Sequence, residues 1–460
     1  MGRLTPRAVF ERVVDCRAGE AAAVLLAAAQ FFCLLFGCFM LRPLRETMGL
    51  RSGVDSVRLL FLVTVGAMVV GNVVYGWVAS RVSRRALVPG VYGAIVVTLG
   101  GFLVAMLVIP DADREPLGKV FYVWFSVVNL FAVSVFWQLL ADVFTLEQSK
   151  RLFGFVGVGG TAGAMLGSSY AWQLADDLGP FGLMVSASVL FVSAGVVASV
   201  LSGRAGLRDV AARDGESHGL GGKAWAGLSR LFESPYLGGI GLMVLLFTVT
   251  STLLYFEKLR IVEAVIADDD ARTALFAKIE VAGQTLTVLL QLFLTGRLMR
   301  WLGVGVLLAV VPLVSIVGFA TLGLVPTLAV LTVFEATRRA GNFALSKPAR
   351  ETLFTVVPRA DKYKAKAGID TFVYRGGDTV GTGVDMGLAW LGVHVASAAI
   401  PIGVVALWIA GWLGIRQKRL AGIAPGGAAD RMNGDDVGVS TQQPPLGGEH
   451  ERKQHAPITS

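Results

Sequence analysis

Apolar stretches of roughly twenty residues recur along most of the chain, parted by short polar segments, and a bilayer core needs about that length per helix. About twelve such stretches are found. Six precede residue 202, at approximately 20–41, 57–79, 86–109, 119–145, 152–176 and 179–201. Six follow residue 234, at approximately 235–256, 274–296, 303–323, 327–346, 367–391 and 394–414. Between the two sets lies Ser202 to Ser234, carrying Arg204, Arg208, Arg213, Lys223 and Arg230. After Ile415 the chain is rich in Gly, Pro and Gln and is expected to be disordered. The pattern predicts an all-α integral membrane protein of about twelve transmembrane helices in two six-helix bundles. Its parts are an N-terminal segment (1–19), a first bundle (20–201), a linker (202–234), a second bundle (235–414) and a tail (415–460).

Composition agrees. Of 460 residues, 54% are apolar and 16% charged, against about 25% charged in a soluble domain. This excludes an ordinary soluble enzyme, a disordered chain and a nucleic-acid binder explained by charge. The net charge of +8 (41 basic, 33 acidic residues) comes from unevenly distributed loops. With the N-terminus in the cytoplasm, cytoplasmic segments hold 28 Lys and Arg, external ones 7, and Arg58, Lys119, Lys278, Arg338, Arg339 and Arg375 fall inside spans. The positive-inside trend therefore predicts that both termini are cytoplasmic. The three cysteines give neither a disulfide framework nor a metal spacing. No phosphate-cradling Walker loop is present, so neither an enzyme nor a cofactor or metal site is expected.

Charges at membrane depth are costly and mark partners or water-filled cavities. Arg42, Arg45 and Glu46 end span 1, with Pro43 predicting a kink or break. Span 4 carries Asn129, Gln138 and Asp142, and Lys150 and Arg151 open span 5. Span 10 carries Glu335, Arg338, Arg339, Asn342, Lys347 and Arg350. Glu335 and Arg339 are four apart and share a helix face. Span 11 carries Asp370, Arg375, Asp378 and Asp385. Asp385, without an evident local partner, is the candidate proton site. Arg42, Arg45, Asn129, Arg338, Arg339, Asn342 and Arg350 are candidate substrate-binding residues. Glu46, Asp142, Lys150, Arg151, Glu335, Lys347, Asp370, Arg375 and Asp378 are candidates for gating or charge pairing. Gly159, Gly163 and Gly167 share one face of span 5, and Gly377 and Gly381 one face of span 11. Such faces permit close helix crossing.

Two motif sets carry a family resemblance. Gly76 to Arg85 resembles the loop after helix 2 of the major facilitator superfamily, with Ser80 in place of its acid and Ser83 in place of its second glycine. Leu41-Arg42-Pro43-Leu44-Arg45-Glu46, Asn129 to Trp137, Lys150 to Gly154, Lys347-Pro348-Ala349-Arg350-Glu351, Lys362 to Asp370 and Arg375-Gly376-Gly377-Asp378 resemble the bacterial and plastid ATP/ADP-type nucleotide exchangers. The resemblance implies that Arg45 and Arg350 stand where those exchangers use lysines. Asn129 stands at an acidic position, and Glu257 loosely matches another. It also implies an alternating-access antiporter of the inner membrane.

The leading expectation is a secondary transporter of an organic anion, a nucleotide or another phosphorylated metabolite, by ion-free exchange or coupled to a proton. The alternative is proton-coupled efflux of a drug-like or lipophilic compound. A sensor or assembly partner is a third class. The expected partners are a small-molecule substrate, a proton or counter-transported metabolite, and the lipid bilayer, with no nucleic acid.

Overall fold

A computed structural model describes residues 16–17, 19–82, 84–204 and 233–423. Most of the N-terminal segment, the linker and the tail lie outside the described residues.

The apolar runs become helices α1 (Ala21–Leu50), α2 (Gly53–Ala79), α3 (Arg84–Val108), α4 (Glu115–Val143) and α5 (Leu146–Arg204). The second set gives α6 (Pro235–Val265), α7 (Asp269–Phe293), α8 (Thr295–Leu324), α9 (Leu328–Ala340) and α10 (Lys347–Leu353). It ends with α11 (Arg359–Gly368), α12 (Tyr374–Leu391) and α13 (Ala396–Ile423). Among the described residues, 9 helices are long and apolar enough to cross a membrane. One of them, α5, crosses twice. Gly179 breaks its helical backbone at φ 58°, a conformation that favours glycine. The Tyr170 and Ser186 hydroxyls then meet at 3.1 Å, although sixteen residues of straight helix would hold them about 24 Å apart.

Predicted spans 10 and 11 each contain a π-helical turn, Gly341–Ser346 and Ile369–Val373. Spans 10 and 11 are too charged to count as apolar, but α9, the first π turn and α10 form one continuous rod, as do α11, the second turn and α12. Neighbouring side chains catch backbone carbonyls in the first turn. Gln291 donates to the Phe343 carbonyl at 3.2 Å and Thr295 to that of Ala344 at 2.9 Å. Such turns recur at functional sites. Pro43 does not break α1, which runs unbroken from Ala21 to Leu50.

The glycine faces pack within each half. A Cβ at Gly159, Gly163 or Gly167 would lie 2.5, 2.3 and 2.3 Å from the carbonyl oxygens of Ala28, Phe32 and Phe36 on α1. At Gly377 and Gly381 it would meet Thr248 and Thr252 on α6, each at 2.7 Å. Span 5 thus lies on span 1 as span 11 lies on span 7, the same relation in both halves.

Three apolar clusters form the core. One holds α1 and α3 to α5 together around Phe31, Tyr92, Phe136 and Phe191. Another holds part of the second half together around Ile240, Leu307, Ala349 and Leu413. The third joins the halves: Leu50, Val57, Leu60 and Tyr122 pack with Leu253, Phe256, Leu259, Phe276 and Phe319. It draws on the end of α1, the start of α2 and the far part of α6, which the basic-residue count assigns to the external side.

Candidate functional site

Below that bridging cluster, between the halves, lies a cavity of about 560 Å³. Its wall includes Arg42, Arg45, Glu46, Tyr255, Lys258, Glu280, Glu335, Arg338, Arg339, Asn342, Lys347 and Asp378, with Phe61, Phe247, Phe276 and Phe343 among the aromatic residues. An adjoining cavity of about 300 Å³ shares Arg42, Glu280, Arg339 and Phe343 with it. It continues past Gln284, Thr287 and Gln291 on α7, toward the predicted cytoplasmic end.

Arg45 is held by a hydroxyl-rich cluster. It donates to Glu46 Oε1 at 3.0 Å, to the Tyr122 hydroxyl at 3.1 Å and to Ser126 at 3.2 Å. Its guanidinium lies over the Tyr122 ring, 4.2 Å from the centroid. The Tyr255 hydroxyl, from the other half, donates to Glu46 Oε2 at 2.5 Å and lies 2.8 Å from that of Tyr122. The first half's Arg45–Glu46 pair is therefore read directly by the second half.

Glu280 on α7 bridges the halves a second time. It accepts from Arg42 at 3.2 Å and forms a close ion pair with Arg339. Arg339 also reaches Glu335 at 3.4 Å, and Lys258 donates to the same Glu335 oxygen at 3.1 Å. The predicted Glu335–Arg339 pair exists, but it sits inside a larger network.

Arg338, one residue along, behaves differently. It donates to Ser251 and Ser315, both at 2.9 Å, to Thr250 at 2.8 Å and to the Phe247 carbonyl at 3.1 Å. Neutral oxygens satisfy it, and its charge is left uncancelled at the cavity wall. A turn further, the π turn spaces Arg338, Asn342 and Lys347 by four and five residues. That matches a widened turn and keeps all three on the cavity side.

Other sequence candidates are placed elsewhere. Asn129 is half-buried on α4 and is not among the lining residues. Asp142 is exposed in the last turn of α4. Arg151 pairs with Glu20 at 3.1 Å within the first half. Arg350 donates to the Tyr374 hydroxyl at 2.9 Å and lines a small neighbouring pocket with Asn342 and Ser346. Arg375 lies 3.6 Å from Asp378. The side chains of Lys150 and Asp370 lie outside the described residues. Asp385 has partners after all: Arg58 of α2 at 2.7 Å and Arg260 of α6 at 2.9 Å. It is 1% exposed and joins the halves at the predicted external end. Glu257 pairs there with Arg260 at 2.8 Å and lies 3.6 Å from His394. Ser80 closes α2 by donating to the Trp77 carbonyl at 2.8 Å.

Sequence reasoning missed Lys258, Glu280, Arg58, Tyr122 and Tyr255. Span 7 was predicted to end at 256, whereas α6 continues to Val265, which places Lys258 inside the helix. Glu280 and Arg58 were legible as charges within predicted spans. The tyrosines carry no such mark.

The fold is that of the major facilitator-type transporters, and the chain is a multi-pass membrane protein. No family model and no curated protein matches the chain. Among solved structures it is similar to the POT family transporter PepTSo, at 13% identity and a TM-score of 0.59, covering 87% of this chain and 98% of that one. It is also similar to the human organic anion transporter MFSD10 (12%, 0.54, 86% and 100%) and to the nucleoside transporter NupG (14%, 0.51, 87% and 99%).

Proposed function

We propose that this protein is a secondary transporter of the inner membrane that moves an organic anion, such as a nucleotide or another phosphorylated metabolite, by alternating access. The carrying observation is the charge on the cavity wall. Arg42, Arg45, Lys258, Arg338, Arg339 and Lys347 face Glu46, Glu280, Glu335 and Asp378, six cations against four carboxylates, an excess of two. A water-accessible cavity with that excess is complementary to an anion. Arginine adds bidentate geometry for phosphate or carboxylate. The similar human protein is named an organic anion transporter, which agrees.

The network also supplies a coupling route. Glu280 ties Arg42 of one half to Arg339 of the other. An entering anion competes with Glu280 for these arginines, so binding biases the arrangement of the halves by its differential affinity for each state.

The test is thermal stabilisation of the purified full chain by nucleotides, sugar phosphates, carboxylates and hydrophobic cations. A ligand of the folded state raises its stability with concentration. Anions are expected to stabilise, and Arg45→Gln to weaken that binding by about tenfold or more, since a buried charge-assisted contact is lost. Stabilisation by hydrophobic cations alone rejects the reading. Wild-type binding and transport by Arg45→Gln rejects the role given to the end of α1.

A further inference from the structure

A second cavity, of about 350 Å³, opens at the predicted external end, and its wall includes Arg58, Glu257, Arg260, Asp385 and His394. Among the described residues it shares none with the central cavity. His394 stands in the short connection between α12 and α13 and is half-exposed. The Ala396 amide donates to its Nδ1 at 3.2 Å, so that nitrogen bears the lone pair and is where a proton would add. Nε2 lies 3.6 Å from Glu257 Oε1. The other Glu257 oxygen accepts from Arg260 at 2.9 Å. Arg260 also donates to Asp385 Oδ1 at 2.9 Å, and Asp385 Oδ2 accepts from Arg58 at 2.7 Å. Contacts thus run without a gap from an open imidazole on the second half to the arginine of the first half that holds the seam.

The charges divide by half. With a neutral ring, the second half brings two carboxylates (Glu257, Asp385) and one guanidinium (Arg260), a net charge of −1. The first half answers with Arg58. Asp55 pairs with Arg58 as well, but its side chain is 91% exposed, and water screens it. Gly323 of α8 also faces the ring, where a Cβ would lie 3.5 Å from Cε1, and brings no charge. A proton on His394 takes the second half's cluster from −1 to zero, so Arg58 is held less strongly. Linkage gives the same result in reverse. Arg58 opposes a proton on His394 only while the seam is closed, so the open state binds the proton more tightly. The His394–Glu257 contact lies inside the second half and sets no direction by itself.

We propose that His394 is a pH sensor of the external face: neutral, it leaves the external seam closed, and protonated, it favours opening. A histidine ring changes charge between about pH 8 and pH 5, so acid outside would release the seam. The proposal rests on the alternating-access part of the reading above and is independent of the anion.

Spin-label distances on the purified full chain test this. Val108 and Val265 are exposed on opposite halves near the predicted external end, and neither lines the cavity around His394. They carry the labels in a background lacking Cys16, Cys33 and Cys38. Lowering the pH from about 8 to about 5.5 is expected to raise the ratio of long to short distances by about threefold or more, the effect of one unit charge in a partly buried cluster of this size. His394→Gln is expected to remove that change. His394→Lys is expected to show at the higher pH the distribution that wild type shows at the lower. No change in wild type, a change toward shorter distances, a change that survives His394→Gln, or a His394→Lys variant that stays closed overturns the proposal. Asp385→Asn separates the two readings. Longer distances in that variant with no pH response in wild type remove the sensor and leave alternating access standing. One fixed distance in wild type and every variant, at both pH values, removes both.

Discussion

At the predicted external end, Arg51 pairs with Asp269 and Arg58 with Asp385, and deeper, on the cavity wall, Arg42 pairs with Glu280, each pair drawing one partner from either half. Thr47 and Thr273 add a hydroxyl contact across the same seam at 2.8 Å, and the bridging apolar cluster lies beside them. At the predicted cytoplasmic end, Arg17 pairs with Glu147, Arg151 with Glu20, and Lys366 with Glu351, each pair inside one half. The ionic chemistry is the same, but the consequence differs. A pair within a half is carried along when that half rocks, so it contributes equally to both conformations and shifts nothing. A pair across the seam exists in one conformation only, and it biases the equilibrium by its whole strength. In this conformation the external end is closed by such pairs, and the cavity continues toward the other side.

The largest expected effect comes from Asp385→Asn. Asp385 is 1% exposed and is shared by Arg58 and Arg260. The substitution removes the charge that both arginines share, but Arg58 keeps Asp55 and Arg260 keeps Glu257, so the cost is that of the lost charge-assisted hydrogen bonds, about 1.5–3 kcal/mol. Most of that cost falls on the externally closed state, because Arg58 leaves Asp385 when the seam opens. Spin-label distances read the shift. Leu59 and Val265 are exposed on opposite halves near the external end, and Trp77 and Trp301 near the other end. In a background lacking Cys16, Cys33 and Cys38, the first distance should lengthen and the second shorten. Unchanged distributions in a folded variant would mean that Asp385 is not part of the closure.

A smaller effect is expected from Arg51→Gln. Arg51 is 20% exposed and its partner Asp269 23%, so water screens much of the attraction. About 1 kcal/mol is expected for a pair of this exposure, roughly a fivefold change in the ratio of the two states. The same labels should report it, and the difference from wild type should fade between 0.15 and 1 M salt as screening shortens to about 3 Å. A salt-independent difference would point to packing around Arg51 as its origin.

The contrast between ends also explains what could be read from sequence. Spans follow from apolar length, which is local, and the spans bear their names in the structure with ends displaced by several residues. The Glu335–Arg339 pair follows from helix spacing, also local. The pairs that close the seam join Arg58 to Asp385 and Arg42 to Glu280, separated by hundreds of residues, and no spacing rule links them. Arg338 and Arg339 look equivalent as neighbours in sequence. One residue of helix turns the side chain by about 100°, which gives Arg339 to carboxylates and Arg338 to neutral oxygens. Asp385 looked unpartnered because both its arginines come from other helices.

The smallest effect is expected from Lys366→Gln, and its smallness is the sharper test of the comparison. Lys366 and Glu351 are 39% and 42% exposed, 2.7 Å apart, and both belong to the second half. An exposed pair of this kind contributes about 0.2–1 kcal/mol to folding. It joins the end of α10 to α11, which move as one body when the halves rock. The variant should therefore lower Tm slightly and leave both label distances where they are in wild type. A clear change in the distance between residues 77 and 301 would show that cytoplasmic-end pairs also hold the conformation, and that the division between bridging and internal pairs drawn from this structure is wrong.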